Sequence, residues 1–219
     1  MPVVDTALRH LRAADPVLAR LLDENGPPET RLDPAPGLPV APADRYGALV
    51  RSIVGQQVST SAARAIYGRL VAHFGGRTPT PEEVLAADPD EMRVAAGLSR
   101  AKTQYLRSLA EHVVSGELEL ERLDGLPDEE IIAELVAVRG IGEWSAHMFL
   151  MFQLDRPDVL AVGDLGIRRA VERAYALPAL PTPAELTALA QPWRPWRTAA
   201  CRVLWRSLDN APVGASEGG

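Results

Sequence analysis

The sequence predicts an all-α protein of two helical lobes flanking a cleft, and two observations favour this fold. Apolar residues recur at helical spacing over most of the chain, which is the pattern of amphipathic helices. The first 43 residues hold a short helical pattern and then many prolines, which favours a helix or two followed by an extended strap. A chain of 219 residues has room for one large core or for two small lobes.

The segment 131–174 is the part around which the chain is organised. One apolar helical pattern runs over 131–138 and a second over 143–154, with Gly140 and Gly142 between them. A connection of three or four residues makes the two helices pack as a hairpin, and glycine lets a partner approach the backbone closely. Amide groups at the start of the second helix then form an anion site suited to a phosphate.

A pair of helices is predicted ahead of this hairpin. Asp44 and Ser59 each precede an apolar helical stripe and are expected to be N-caps. Gln56 and Gln57 lie between the two helices. From spacing alone they form a polar turn whose side chains cap helix ends. A third helix is capped by Ser99, and its bases Arg100, Lys102 and Arg107 lie off the apolar stripe, where a solvated face is expected.

Asp164 precedes another clear helical stripe, so an N-cap is its simplest interpretation. The final helix is expected to open with Pro195 in its first turn. Trp205 falls about half a turn from the apolar stripe of that helix. A tryptophan in that position requires another surface to cover it.

Composition narrows the classes of protein. The single cysteine, Cys201, excludes an internal disulfide and a four-cysteine iron–sulfur loop, and the four histidines show no zinc spacing. The net charge is −6, but residues 116–138 hold eight acids and one base, whereas 45–115 and 139–206 each hold nine bases and six acids. Modest, salt-sensitive affinity for nucleic acid is therefore compatible with the sequence. No signal peptide or membrane-spanning run is apparent, so a cytoplasmic location is expected.

Several stretches together resemble the helix–hairpin–helix DNA glycosylases, and most closely their alkylpurine (3-methyladenine) branch. The resemblance covers roughly Asp44 to Leu208, in the order of that branch. It is carried by the Gly140-Ile141-Gly142 hairpin with Asp164 downstream, and by residues 52–59, 97–106, 162–168 and 193–197.

The resemblance implies a monofunctional DNA glycosylase that flips out alkylated purines such as 3-methyladenine and 7-methylguanine. Asp164 would be the catalytic carboxylate, and Trp144, Trp205 and Met148 would line the base pocket. Trp144 and Met148 could equally be core residues of a buried helix. The product would be an abasic site. No cleavage of the DNA backbone is expected, because Trp144 stands where two-step relatives carry a nucleophilic lysine.

The same resemblance assigns the DNA contacts. Gln57 matches the family position that inserts into the DNA base stack as a wedge, and Gln56 precedes it. The turn that carries these two residues is called the wedge turn. Backbone amides near Gly140, Gly142 and Ser145 would hold a phosphate, and Arg139 could add a contact. A Na⁺ or K⁺ ion would be held by the backbone carbonyls of Val136, Val138 and Ile141. No other cofactor is required.

The expected organisation has four parts: an N-terminal helix and proline-rich strap over 1–43 that packs on the second lobe, a lobe with the wedge turn over 44–127, a hairpin and catalytic-Asp lobe over 128–210, and a disordered tail over 211–219. A monomer acting on double-stranded DNA is the default. Two alternatives remain open: a non-catalytic helix–hairpin–helix DNA-binding module, and a glycosylase for uracil, mismatched thymine or an oxidised purine. A nucleotide-binding Gly-x-Gly turn is disfavoured because a third glycine and a preceding strand are lacking.

Overall fold

The computed structural model describes residues 2–28 and 44–209. All the regular structure in those two ranges is helical, which confirms the predicted all-α class. None of the helices there combines the length and the apolar character needed to cross a membrane. The expected disordered tail, and the strap beyond Pro28, lie outside the described residues.

The described residues fall into two compact units. Residues 2–28 and 150–209 form one, here called the terminal unit, and residues 44–149 form the other, here called the middle unit. The division lies near the end of the second hairpin helix, whereas the sequence placed a boundary between residues 127 and 128. The hairpin therefore groups with the wedge turn in the middle unit, while Asp164 lies in the terminal unit.

The middle unit begins with the helices that Asp44 and Ser59 were predicted to cap. Both caps are confirmed, since their side-chain oxygens accept the amides of Gly47 and Ala62 respectively. The helices of this unit are α3 Arg45–Gly55, α4 Thr60–His73, α5 Pro81–Ala86, α6 Pro89–Ala96, α7 Arg100–Ser115, α8 Asp128–Ala137 and α9 Glu143–Phe152, which crosses its boundary. The helix α7 is central to the unit because it packs against α3, α5 and α6.

The terminal unit is built around its last helix. Its helices are α1 Pro2–Ala14, α2 Pro16–Asn25, α10 Leu165–Ala174, α11 Pro183–Leu189 and α12 Arg197–Asp209. The helix α12 packs against α1, α2 and α10. It begins at Arg197, two residues beyond Pro195, so the prediction that Pro195 lies in its first turn was wrong. The peptide bond before Pro195 is cis, and the chain turns there before the helix starts.

Within the terminal unit, a buried carboxylate joins the N-terminal helices to the C-terminal part of the chain. Asp15 is 7% exposed and caps α2. Its Oδ1 accepts the amides of Val17 and Leu18, and its Oδ2 accepts the Tyr175 hydroxyl and the Trp193 Nε1–H. With four donors the buried charge is well compensated. Burial and the Asp15 carboxylate raise the pKa of Tyr175 far above its usual value.

Candidate active site and nucleic-acid interface

Asp164 is the N-cap of α10, as the sequence predicted. Its Oδ1 accepts the backbone amide of Ile167 at 2.7 Å. The same oxygen accepts the indole Nε1–H of Trp205, on α12, at 3.0 Å. A helix N-terminus stabilises a negative charge, and two donors on one oxygen fix the direction of the carboxylate. The side chain is thus an oriented carboxylate that is only partly buried.

The Trp205 ring is held by its neighbours. It stacks on Phe152 with the ring centroids 6.1 Å apart and an angle of 29° between the planes. The Arg202 guanidinium lies over the Phe152 ring, 5.3 Å from its centroid. The covering surface that the sequence required for Trp205 is therefore Phe152 together with the Asp164 carboxylate.

The loop that leads to Asp164 is fixed to the start of α12. The hydroxyl of Thr198, which is 5% exposed, donates to the carbonyl of Arg156 at 2.6 Å and accepts the amide of Val159 at 3.0 Å. The Thr198 amide donates to the carbonyl of Pro157. These bonds close the loop onto the helix some 40 residues later in the chain. Sequence reasoning missed Thr198 because nothing local marks its partners.

An ion pair reinforces the same junction. The guanidinium of Arg197 donates to the Asp158 carboxylate at 2.7 Å and to the Asp158 carbonyl at 2.6 Å, and Arg194 donates to that carboxylate at 2.8 Å. Both arginines belong to the 193–197 stretch that the sequence singled out. Their role in the structure is to hold the loop before Asp164.

The connection between α8 and α9 is short and turns at Gly140, as the sequence predicted. After α8 the amide of Ile141 donates to the carbonyl of Val138 at 3.0 Å, and Gly140 lies in the left-handed region with φ +94°. A Cβ at Gly140 would lie 2.2 Å from the Tyr105 ring, so only glycine fits there. At Gly142 a Cβ would meet nothing within 4 Å and φ is not left-handed. The fold does not require that second glycine, which is open to a partner.

The second hairpin helix presents its N-terminal end next to Gly142. Its hydrogen-bond ladder opens with the Ala146 amide donating to the Gly142 carbonyl at 3.0 Å. Amides of the preceding turn lie outside this ladder and point along the helix axis. Arg139 is exposed, and its amide donates to the Ser108 hydroxyl at 3.2 Å. Within the described ranges its guanidinium makes no hydrogen bond or ion pair.

The predicted pocket residues of the hairpin lie on one face of α9. Trp144 is 47% exposed, and Met148, one turn later, is partly buried. The apolar composition of this segment favoured a helix buried on every side, and the structure shows that one face is open to solvent. Ser145 and His147 of the same helix are buried. An aromatic ring that is half open to solvent is available to a ligand in a way that a core ring is not.

The two glutamines of the α3–α4 turn have different surroundings. The Gln56 side chain donates from Nε2 to the Gly140 carbonyl at 2.8 Å. Gln57 has a left-handed φ of +55° and an exposed side chain, and Val58 beside it is 38% exposed. The turn thus presents Gln57 and Val58 outward, while Gln56 faces the hairpin.

Lys102 corrects a sequence prediction. It was placed on a solvated face, yet it is 8% exposed, and its Nζ donates to the Val54 carbonyl at 2.7 Å. Burial lowers the pKa of this lysine. Arg107 is also turned inward, toward the carbonyls of Val84 and Leu85 at the end of α5. Only Arg100 of the three is exposed.

A hairpin with a glycine-lined helix start, and a capping carboxylate at the start of a later helix, define a class of helical DNA-repair proteins. The chain belongs to the HhH-GPD superfamily of base excision DNA repair proteins, whose family model matches residues 50–195.

Named relatives and solved structures agree with this family. The chain is 37% identical over 164 residues to DNA-3-methyladenine glycosylase 1 of Schizosaccharomyces pombe, covering 74% of this chain and 72% of that protein. It is 36% identical over 174 residues to the DNA-3-methyladenine glycosylase of Saccharomyces cerevisiae, covering 76% of this chain but 58% of that protein. The S. pombe 3-methyladenine DNA glycosylase in complex with abasic DNA matches with a TM-score of 0.80 and 33% identity, covering 94% of this chain and 98% of that one.

Proposed function

We propose that the protein is a monofunctional DNA glycosylase that removes alkylated purines, of the 3-methyladenine and 7-methylguanine type, from double-stranded DNA inside the cell. It hydrolyses the N-glycosidic bond and leaves an abasic site. The observation that carries the proposal is the fixed orientation of Asp164, whose Oδ1 accepts hydrogen bonds from the Ile167 amide and the Trp205 indole. The names of relatives at 36% and 37% identity supply the class of lesion.

Asp164 acts on the sugar. As the bond between the base and C1′ breaks, the sugar develops oxocarbenium-like positive charge, which a fixed carboxylate stabilises. An alkylated purine already carries a positive charge, so its departure needs little acid assistance, and one carboxylate suffices where sugar hydrolases use two. Water then completes the displacement at C1′.

The base pocket selects cationic bases. The target bond is out of reach in a stacked duplex, so the nucleotide must first be flipped out. Indole faces attract a cationic ring, by about 2 kcal/mol or more when desolvated. Trp144 and Trp205 are each proposed to offer such a face to the base, with Met148 one turn from Trp144, and neutral purines gain less.

The hairpin holds the DNA backbone. Backbone amides near Gly140, Gly142 and Ser145 bind one phosphate, and Arg139 adds a charge to it. The open space at Gly142 supports this assignment, because a phosphate can approach the backbone there. The carbonyls of Val136, Val138 and Ile141 are the candidate ligands for a Na⁺ or K⁺ ion beside the phosphate. Gln57, at the exposed turn, fills the space left by the flipped nucleotide, and Gln56 lies next to it.

A lyase step is not part of the proposal. The only lysine in the sequence is Lys102, and its amine is buried and donates to the Val54 carbonyl. A Schiff base with the sugar needs an exposed, nucleophilic amine. The expected product is an intact strand with an abasic site.

The proposal is tested by a panel of duplexes with one lesion each. The wild-type protein, which we expect to act as a monomer, should release 3-methyladenine and 7-methylguanine and leave uracil, mismatched thymine and an oxidised purine in place. Preferential release of a neutral base would assign the protein to another lesion. Binding of abasic DNA without release of any base would identify a non-catalytic module.

A further inference from the structure

The Gly140 peptide of the hairpin is held from three directions. The Tyr105 ring of α7 occupies the space that a side chain at Gly140 would need. The Ser108 hydroxyl of the same helix accepts the preceding amide, that of Arg139, at 3.2 Å. The third contact comes from the α3–α4 turn, where Gln56 donates from Nε2 to the Gly140 carbonyl at 2.8 Å. Two of these contacts fix the hairpin to α7, and the third joins it to the turn that presents Gln57.

The turn itself is fixed at its base. The carbonyl of Val54, in the last turn of α3, accepts the buried ammonium of Lys102 at 2.7 Å. The Gln56 amide donates to the Ile53 carbonyl at 3.3 Å, and its backbone leaves the helix in an extended conformation with ψ 135°. The left-handed Gln57 follows at once. The direction in which Gln57 and Val58 project therefore depends on where the Gln56 side chain is bound.

We infer that Gln56 is a positioning residue that fixes the spacing between the exposed Gln57–Val58 turn and the phosphate-binding hairpin. The inference rests on the proposed function. Both elements engage one duplex, the hairpin through its backbone and the turn through the base stack. The Gln56–Gly140 bond holds the turn in register with the bound phosphate, so that binding the DNA also places the wedge. Without this bond the turn would have to be ordered during base flipping, and the rate of excision from paired DNA would fall.

The pairing state of the lesion separates this role from general stabilisation. Flipping costs least for a base that is already unpaired or mismatched. A residue that acts through the wedge should affect excision of a paired lesion much more than excision of the same lesion opposite an abasic site. A residue that merely stabilises the fold, or only supports phosphate binding, should affect both substrates equally.

The test uses Gln56→Met, which keeps a similar length and removes the donor. The matched control is Gln191→Met, because Gln191 also donates from Nε2 to a backbone carbonyl, that of Thr187 at 3.0 Å, but in the terminal unit. Single-turnover excision of 7-methylguanine is measured opposite cytosine and opposite an abasic site, and melting temperatures are recorded. For Gln56→Met we expect roughly a three- to tenfold slower rate on the paired lesion, the value of one hydrogen bond. We expect less than about a twofold change on the unpaired lesion by the same argument, and no change in either rate for the control.

Equal slowing on both substrates, or no slowing on either, would overturn the inference and leave the proposed function intact. A wild-type protein that excises the base from neither substrate would overturn the proposed function and, with it, the inference. Should Gln56→Met lower the melting temperature sharply, Gln56→Glu, which also lacks the amide donor, is compared by the ratio of paired to unpaired rates. An unchanged ratio in a folded variant would again reject the role.

Discussion

At the scale of single residues, the structure shows that Trp205 contacts Asp164, in addition to the base-pocket role that we propose for it. Its indole donates to Asp164 at 3.0 Å while its ring stacks on Phe152. Trp205→Phe keeps an aromatic ring in the stack and removes the donor. A hydrogen bond to a charged group contributes about 1.5–3 kcal/mol, so the single-turnover rate should fall roughly 10- to 100-fold.

The abasic-DNA affinity of Trp205→Phe provides the control and should stay near the wild-type value. The melting temperature, which the loss of one hydrogen bond lowers by several degrees, shows that the variant is folded. A rate equal to that of the wild type would show that the Asp164 carboxylate does not depend on the indole.

The two hairpin glycines should respond differently to the same substitution. Gly140→Ala forces a Cβ into the Tyr105 ring at a left-handed φ, and such strain costs about 1–3 kcal/mol before the clash is counted. Its melting temperature should fall by several degrees, at about 2–4 °C per kcal/mol for a chain of this size.

Gly142→Ala meets no protein atom within 4 Å, so it should melt like the wild type and bind abasic DNA more weakly. Calorimetry and a binding titration check the pair. If Gly142→Ala binds as well as the wild type, the phosphate does not approach the backbone at that position.

At the scale of elements, the loop 155–163 depends on α12 for its shape. Thr198→Val removes the hydroxyl that donates to Arg156 and accepts from Val159, leaving one buried and one partly buried backbone group without this partner. We expect a loss of about 1–3 kcal/mol in the free energy of unfolding, measured by denaturant titration. Excision should slow more than DNA binding weakens, because the loop leads directly to Asp164.

Thr187→Val is the control for that prediction. The Thr187 hydroxyl bonds to the Pro183 carbonyl on an exposed face, so this variant should keep its stability and its rate. Equal behaviour of the two variants would mean that the Thr198 junction does not shape the catalytic loop.

At the scale of the whole molecule, a contact could be predicted from the sequence when its two partners lie close together along the chain. The caps Asp44, Ser59, Ser99 and Asp164 bond to amides three residues ahead, so a local pattern predicts them. The helical class follows from periodicity in the same way. The hairpin turn also is local, since the left-handed Gly140 and the short connection determine it.

Long-range partners were not predictable. Lys102 bonds to a carbonyl 48 residues away, and Gln56 to one 84 residues away. A helical wheel places Lys102 off the apolar stripe but does not show that α3 packs there. Roles drawn from family resemblance, such as the base pocket of Trp144, Trp205 and Met148, stay predictions.

The most direct test of the account is release of 3-methyladenine from alkylated duplex DNA by the wild type and by Asp164→Asn. Asparagine can still cap α10 and accept the Trp205 indole, so the variant should fold and bind abasic DNA like the wild type. Loss of the charge should slow release by about 100-fold or more. Equal release by the two proteins would contradict the account, leaving Asp164 as a helix cap alone.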